Sequence, residues 1–216
     1  MLADKPNLAN LDLTSAKRIA RGQINRVSES ISARVARLPA QMPAKRLAWL
    51  RETEHLYRQT YDEVLIGIAS EKRRVFAVYL MPLAQEFEGW LSIEVAVASF
   101  KGARSSFVLA AVAEQTIARM MEGLKSVDAI EALRNELSEW NFVQLLQSML
   151  LPTPQDVVYV ATESGCFVAK WNAERHSYIM TSWLPDRLAT DHERTVLRRL
   201  RREQRLGAGP SLADCI

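Results

Sequence analysis

Cysteine and histidine are scarce in this chain of 216 residues, which has two cysteines, Cys166 and Cys215, and three histidines, His55, His176 and His192. Two thiols so placed make neither a disulfide framework nor a metal-ligand spacing, and no carboxylate or cysteine completes a ligand set around the scattered histidines. No metal and no cofactor is expected. Cys166 reads as a packing thiol inside a strand, since no base is paired with it. A glycine-rich phosphate loop, a G-x-S-x-G elbow and a Ser-x-x-Lys pair are all missing, which excludes the commonest nucleotide-binding and acyl-transfer designs. No run approaches the roughly 20 apolar residues of a membrane-spanning helix. The opening MLADKPNLANLDL has neither the basic nor the apolar region of a secretory signal. The expectation is a cytoplasmic protein with no membrane contact.

Excess charge is missing too. Lysine and arginine number 28 and acidic residues 25, for a formal net charge of +3. Affinity for a polyanion must therefore come from local patches. A hydrophobic share of 48% and a charged share of 25% are those of an ordinary folded chain, long enough for one sizeable core.

What is present most clearly is strand chemistry from Asp156 to Trp183. Apolar and polar residues alternate around a Ser164-Gly165 turn and an Asn-Ala-Glu-Arg-His break, which predicts three antiparallel strands. A two-residue turn sets Glu163 opposite Cys166, Ala161 opposite Val168 and Val158 opposite Trp171. The second loop sets Trp171 opposite Tyr178 and Ala169 opposite Met180. One face then carries Val158, Val160, Phe167, Ala169, Trp171, Tyr178 and Met180 and belongs to the core. The other, with Tyr159, Ala161, Cys166, Val168, Lys170, Ile179, Thr181 and Trp183, is too apolar to stand in water. A helix, a second subunit or a ligand should cover it.

The rest of the chain reads mainly as helix. A first helix runs from Asp12 or Thr14 to about Leu38, with Ile24, Val27, Ile31, Val35 and Leu38 as its stripe. A second starts near Ala44 beyond Pro39 and Pro43, faces inward with Leu47, Leu50, Tyr57, Tyr61 and Val64, and continues as helix to Pro82. Residues 89–100 alternate with period two, but their alanines and helical flanks favour a buried helix. Further helices are expected from Ser105 or Ser106 to about Met121, and from an N-cap at Ser126 to about Leu150. LPTPQ, residues 151–155, is the clearest boundary. The expected fold class is α+β: a mainly helical body over 1–150, then the meander and an Arg-rich terminal helix over 151–216, packed as one unit.

That terminal helix opens on a capping box, Thr190-x-x-Glu193. Arg194, Arg198, Arg199, Arg201, Arg202 and Arg205 surround a narrow stripe of Val196, Leu197, Leu200 and Leu206. Guanidinium groups this dense suit phosphate oxygens or an acidic partner, and Trp183 and Lys170 extend the same candidate binding surface. The expected function is that of a non-enzymatic binding or adaptor protein. Its partner is a protein or a second copy of the chain, with nucleic acid as the other partner class.

An opposing class is a small ribonuclease or toxin-like effector. Arg187-Leu-Ala-Thr-Asp-His192 has the Arg-x4-His spacing and in this resembles helical nucleases of the HEPN class, a resemblance that covers six residues. It implies a site in which Arg187 and His192 meet at a dimer cleft. The meander offers another arrangement, similar to RelE-like or barnase-like sheets, in which Glu163, Lys170, Arg175 and His176 supply acid, base and phosphate-binding cations without a metal. The two classes separate in one assay, cleavage of a labelled RNA in the presence of EDTA. A binding protein shows no cleavage for His176→Ala or His192→Ala to abolish, whereas a nuclease loses its activity with its own histidine.

Overall fold

The computed structural model describes residues 11–35, 45–71, 73–82, 90–100, 102 and 104–205. Helices α1 (Leu13–Val35) and α2 (Arg46–Tyr61) precede strands β1 (Leu65–Glu71), β2 (Arg74–Pro82), β3 (Leu91–Ser99) and β4 (Arg104–Val112). Helices α3 (Glu114–Leu124), α4 (Ala129–Glu136) and α5 (Glu139–Met149) lead to β5 (Val157–Ala161), β6 (Gly165–Asn172) and β7 (Ser177–Pro185). A short 3-10 turn, Asp186–Leu188, then enters α6 (Asp191–Arg205). The strands form one seven-stranded sheet in the order β1-β2-β3-β4-β7-β6-β5, antiparallel throughout except for the β4–β7 pair.

This corrects the expected fold class. The N-terminal half is not a mainly helical body, and the meander is not a three-stranded sheet of its own but one flank of a larger one. Residues 65–82, read as helix, form the β1–β2 hairpin, and residues 91–99 form a central strand. The cause is burial on both faces. Val75 to Leu80 are all buried, as are seven of the nine residues of β3. A strand covered on both sides loses its polar face, so its apolar run resembles that of a buried helix. The β-branched and aromatic residues Val75, Phe76, Val78 and Tyr79 were the true signal.

Other boundaries move for local reasons. Residues 104–112 are strand and the helix behind them starts only at Glu114. The long helix expected to Leu150 is two, parted at Leu137 and Ser138, where Ser138 N–H donates to Asn141 Oδ1 at 2.8 Å in a reciprocal cap. Asp128, not Ser126, caps α4, its Oδ1 accepting Glu131 N–H at 2.9 Å. On α2 the inward face is Trp49, Thr53, Tyr57 and Tyr61, while Leu47 is exposed. Expectations for residues 1–10, for 36–44 with Pro39 and Pro43, and for the tail from Leu206 lie outside the described residues.

Helices cover both faces of the sheet. Pairing from β2 to β7 places Leu80, Ile93, Ala110 and Tyr178 on one face, with Phe167 and Val160 beyond. Helix α3 packs there, with Thr116 Oγ1 donating to Met180 O at 3.0 Å, and α1 packs on α3 through a stripe that includes Ile24 and Ile31. On the opposite face Tyr61 of α2 stacks on Tyr79, centroids 4.0 Å apart, over the small residues Ala77, Ala96 and Ala98. Among the described residues no helix is long and apolar enough to cross a membrane.

The expected pairing Trp171–Tyr178 and Ala169–Met180 is present, and the expected core face is buried apart from the half-exposed Trp171. The first hairpin is shifted by two residues, to Ala161–Cys166 and Val158–Ala169, because Thr162 and Gly165 close the turn through Thr162 N–H to Gly165 O at 3.0 Å. An even shift leaves each side chain on its face. An irregularity in β7 does not: Ala169 pairs with Met180 but Val168 with Ser182. Thr181 is the extra residue, and beyond it Trp183 turns to the core face instead of the candidate binding face.

Trp183 is buried at 4% exposure in a cradle made by two glycines. A Cβ on Gly123 would overlap Cζ3 of its ring, and one on Gly165 would lie 2.5 Å from Leu184 O and 2.8 Å from Trp183 Cε2. Alanine is the better helix former by about 1 kcal/mol, yet the ring is held on both sides and cannot step back. Gly123→Ala should therefore destabilise the chain by about 1–3 kcal/mol, read from urea unfolding midpoints. In a Trp183→Phe background, where the far edge of the indole and a buried N–H with no partner among the described residues are both removed, the penalty should shrink. A Gly123→Ala variant as stable as the parent would contradict the cradle.

Candidate functional site

Helix α6 covers the apolar outer face of β5–β7. Its first turn is fixed by the predicted capping box, with Thr190 N–H donating to Glu193 Oε2 at 2.6 Å and Glu193 N–H to Thr190 Oγ1 at 3.3 Å. Those bonds also hold the Glu193 carboxyl below its ordinary range. Leu197 is the one fully buried residue described on the helix, and it packs with Ala161, Cys166 and Ala189, flanked by Leu184 and Leu200. This stripe is narrow, so apolar contact alone fastens the helix weakly.

Arg201 supplies the rest. Its Nε donates to Thr162 O at 2.5 Å, and Nη2 donates to Gly165 O at 3.1 Å. Nη1 and Nη2 also meet the two Asp186 carboxylate oxygens at 2.6 and 2.8 Å. One guanidinium thus ties α6 to the β5–β6 turn and to the 3-10 turn, and only 18% of its side chain is exposed. Charge-assisted bonds in a half-buried setting of this kind are the strong class.

A helix pinned along one line leaves a gap on either flank. The first is an apolar slot of about 250 Å³ with Tyr159, Cys166, Val168 and Leu184 on the sheet side and Val196 and Leu197 on the helix side; His192 and Glu193 complete the lining. The second is a recess of about 440 Å³ lined by Asp186, Arg187, Arg194, Leu197, Arg198 and Arg201. At 100° per residue the two sets fall on opposite sides of α6, meeting only at Leu197. Burial drives the Cys166 thiol, at the base of the slot, from its ordinary 9.0 up to about 12; nearby Arg201 opposes this, and Asp186 and Glu193 add to it.

The residues singled out in the sequence divide accordingly. Arg187 opens on the recess and His192 on the slot, so within one chain the Arg-x4-His pair does not converge. His176 is exposed, sits in the left-handed region at φ 47° to close the β6–β7 turn, and places its ring 6.5 Å from that of Trp171. Arg175 N–H donates to Asn172 Oδ1 in the same turn. Glu163 lies at the other end of the eight-residue β6, roughly 26 Å away at strand rise. Lys170 projects from the outer face near the His176 end. Those four residues are not brought together.

The arginines of α6 likewise have separate situations. Arg201 is the pin; Arg199 has Glu203 at 3.9 Å on the surface; Arg194 has Asp191 at 3.5 Å; and Arg202 is exposed. Arg205 belongs to the helix, but its side chain lies outside the described residues. Trp183 is core. Leu184, Glu193 and Val196 were missed as slot residues; the signal for them was the pairing of an uncovered apolar sheet face with the stripe of α6.

The thiol gives a pH dependence with a defined sign. An unfolded Cys166 ionises from about 9.0, while the folded one stays neutral to about 12. Over that window the folded state binds the extra proton, so stability falls as pH rises, by up to roughly 1.4 kcal/mol per pH unit from this group. Cys166→Ala should make the decline between pH 9 and 12 shallower. In a Cys215→Ser chain at pH 8, iodoacetamide should leave Cys166 unmodified until the protein unfolds. Rapid native alkylation would place the thiol outside the core. Comparison with protein-family models, curated proteins and solved structures finds no match for this chain, so the reading of α6 and its two flanks rests on their geometry.

Proposed function

We propose that this chain is a non-enzymatic binding protein that takes an apolar side chain of a protein partner into the slot beneath α6. The slot itself carries the reading. Its volume, about 250 Å³, is below the roughly 300–1,000 Å³ of sites that enclose a whole small molecule, and is of the scale of an anchor residue in an interface. Its walls are a sheet and a pinned helix, which need no reordering on binding. His192 and Glu193 add polar groups beside the apolar floor, the arrangement of a core and rim.

The chemistry of the slot supports binding over catalysis. Its one nucleophile is a buried, neutral thiol whose Sγ–H donates to Phe167 O at 3.3 Å, and its histidine is exposed on the first turn of α6. A cytoplasmic setting belongs to the same proposal, on a sequence with only two cysteines.

Panning a random peptide library against the full chain tests this. Enriched peptides should share one large apolar residue, and Val196→Trp, which fills the slot from the helix side, should weaken them at least roughly tenfold, the worth of one anchor contact. The exposed Arg51→Gln on α2 should leave them unchanged. Enrichment without a common apolar anchor, or binding indifferent to Val196→Trp, would refute the proposal.

A further inference from the structure

The recess on the other flank of α6 carries an inference that does not depend on the slot. Four arginines, Arg187, Arg194, Arg198 and Arg201, line it against a single carboxylate, Asp186. Arg201 engages both oxygens of that carboxylate, which leaves little of it to neutralise the other three cations. Among the described residues Arg194 pairs with Asp191 alone, 3.5 Å away on a fully exposed side chain, a pair that solvent screens. The side chains of Arg187 and Arg198 have no hydrogen bond or ion pair among the described residues.

The main-chain positions that carry these three arginines are set by two elements. Arg194 and Arg198 are one turn apart on α6, and Arg187 stands next to Asp186 on the 3-10 turn. The Asp186–Arg201 pair fixes the distance between the two elements, so the three cations cannot separate by moving the main chain. They give the recess an excess of positive charge that a bound anion would offset, more so as it displaces the water that screens them. Arginine forks match oxyanions two oxygens at a time, and three of them can engage the three terminal oxygens of a phosphate monoester. A carboxylate or a phosphodiester presents only two, with a single charge. We infer that the recess is a binding site for the phosphoryl dianion of a phosphate monoester. Its volume of about 440 Å³ leaves room for part of the group that the phosphoryl is attached to.

Isothermal titration of the full chain at low ionic strength tests this with three probes: inorganic phosphate, O-phosphoserine, and a short RNA lacking terminal phosphates. Inorganic phosphate should bind saturably at one site. O-phosphoserine should displace it, more tightly if the natural ligand is an ester and more weakly if it is the free ion. Arg187→Gln and Arg198→Gln should each weaken both probes roughly tenfold or more, the scale of one lost charge-assisted contact. Arg198→Lys, which keeps the charge and loses the fork, should fall between parent and Gln variant. Arg51→Gln should change nothing. Affinity should also fall below about pH 6, as the monoester loses its second charge. Absence of saturable binding by both phosphate probes would overturn the inference, as would equal weakening by Arg51→Gln. RNA that binds more tightly and displaces phosphate would overturn it in favour of an extended polyanion surface. Because no peptide is used, failure here leaves the slot reading intact, and failure of the slot leaves this one intact.

Discussion

Three residue pairs of parallel strand, Ala110 to Val112 against Tyr178 to Met180, make one sheet out of two antiparallel meanders. Parallel neighbours cannot be joined by a hairpin, so the chain between them must leave the sheet and return. Here that excursion is α3, α4 and α5 followed by β5 and β6. The joint is reinforced by groups that belong to the excursion. Ala113 N–H and Thr116 Oγ1 both donate to Met180 O, and the Tyr178 hydroxyl bonds to Ser148 of α5 at 2.5 Å and to Gln155 O at 3.0 Å. Tyr178 is also among the largest fully buried side chains. The outer flank of the sheet, where the candidate site lies, is positioned through this short seam.

The sheet edge at β5 is closed by side chains instead of by another strand. Gln144 and Asn141 of α5 donate to Tyr159 O and Ala161 O at 2.9 and 2.8 Å, and Arg201 takes Thr162 O just beyond. Carbonyls on an edge are otherwise a template for a foreign strand. Capping these carbonyls withdraws them from that role. Helix α6 covers the outer face along one line only, because a narrow apolar stripe and a single arginine hold it. The slot and the recess are two consequences of the same arrangement.

Legibility in the sequence followed exposure. The β6–β7 hairpin lies toward the surface and keeps a polar turn, and its pairing follows from alternation and turn residues. Strands β2 and β3 carry apolar residues on both faces, and there the period that separates strand from helix is erased. Gly165 reads in the sequence as part of a turn, and Gly123 falls near the end of α3. Their other role, making room for Trp183, depends on a single extra residue at Thr181 that no local pattern marks. Leu47 was misplaced for a related reason: α2 meets the sheet through Trp49, Tyr57 and Tyr61, and only the position of Tyr79 beneath them selects that face.

For the candidate site, composition marked the right helix without distinguishing its residues. Arg198, Arg199, Arg201 and Arg202 are near neighbours of one type, yet one is a structural pin, one pairs along the helix, one lines the recess and one faces solvent. What sorts them lies outside the helix. The carbonyls of Thr162 and Gly165 come from a turn some forty residues earlier, and Asp186 from the segment before the cap. Each arginine's role is thus decided by whether a buried acceptor reaches its place on the wheel. Among the described side chains only Arg201 meets such acceptors, and by occupying Asp186 it leaves Arg187, Arg194 and Arg198 with an excess of positive charge. A charge run of this kind therefore acquires chemistry from the acidic residue it has too few of, and where that residue is placed.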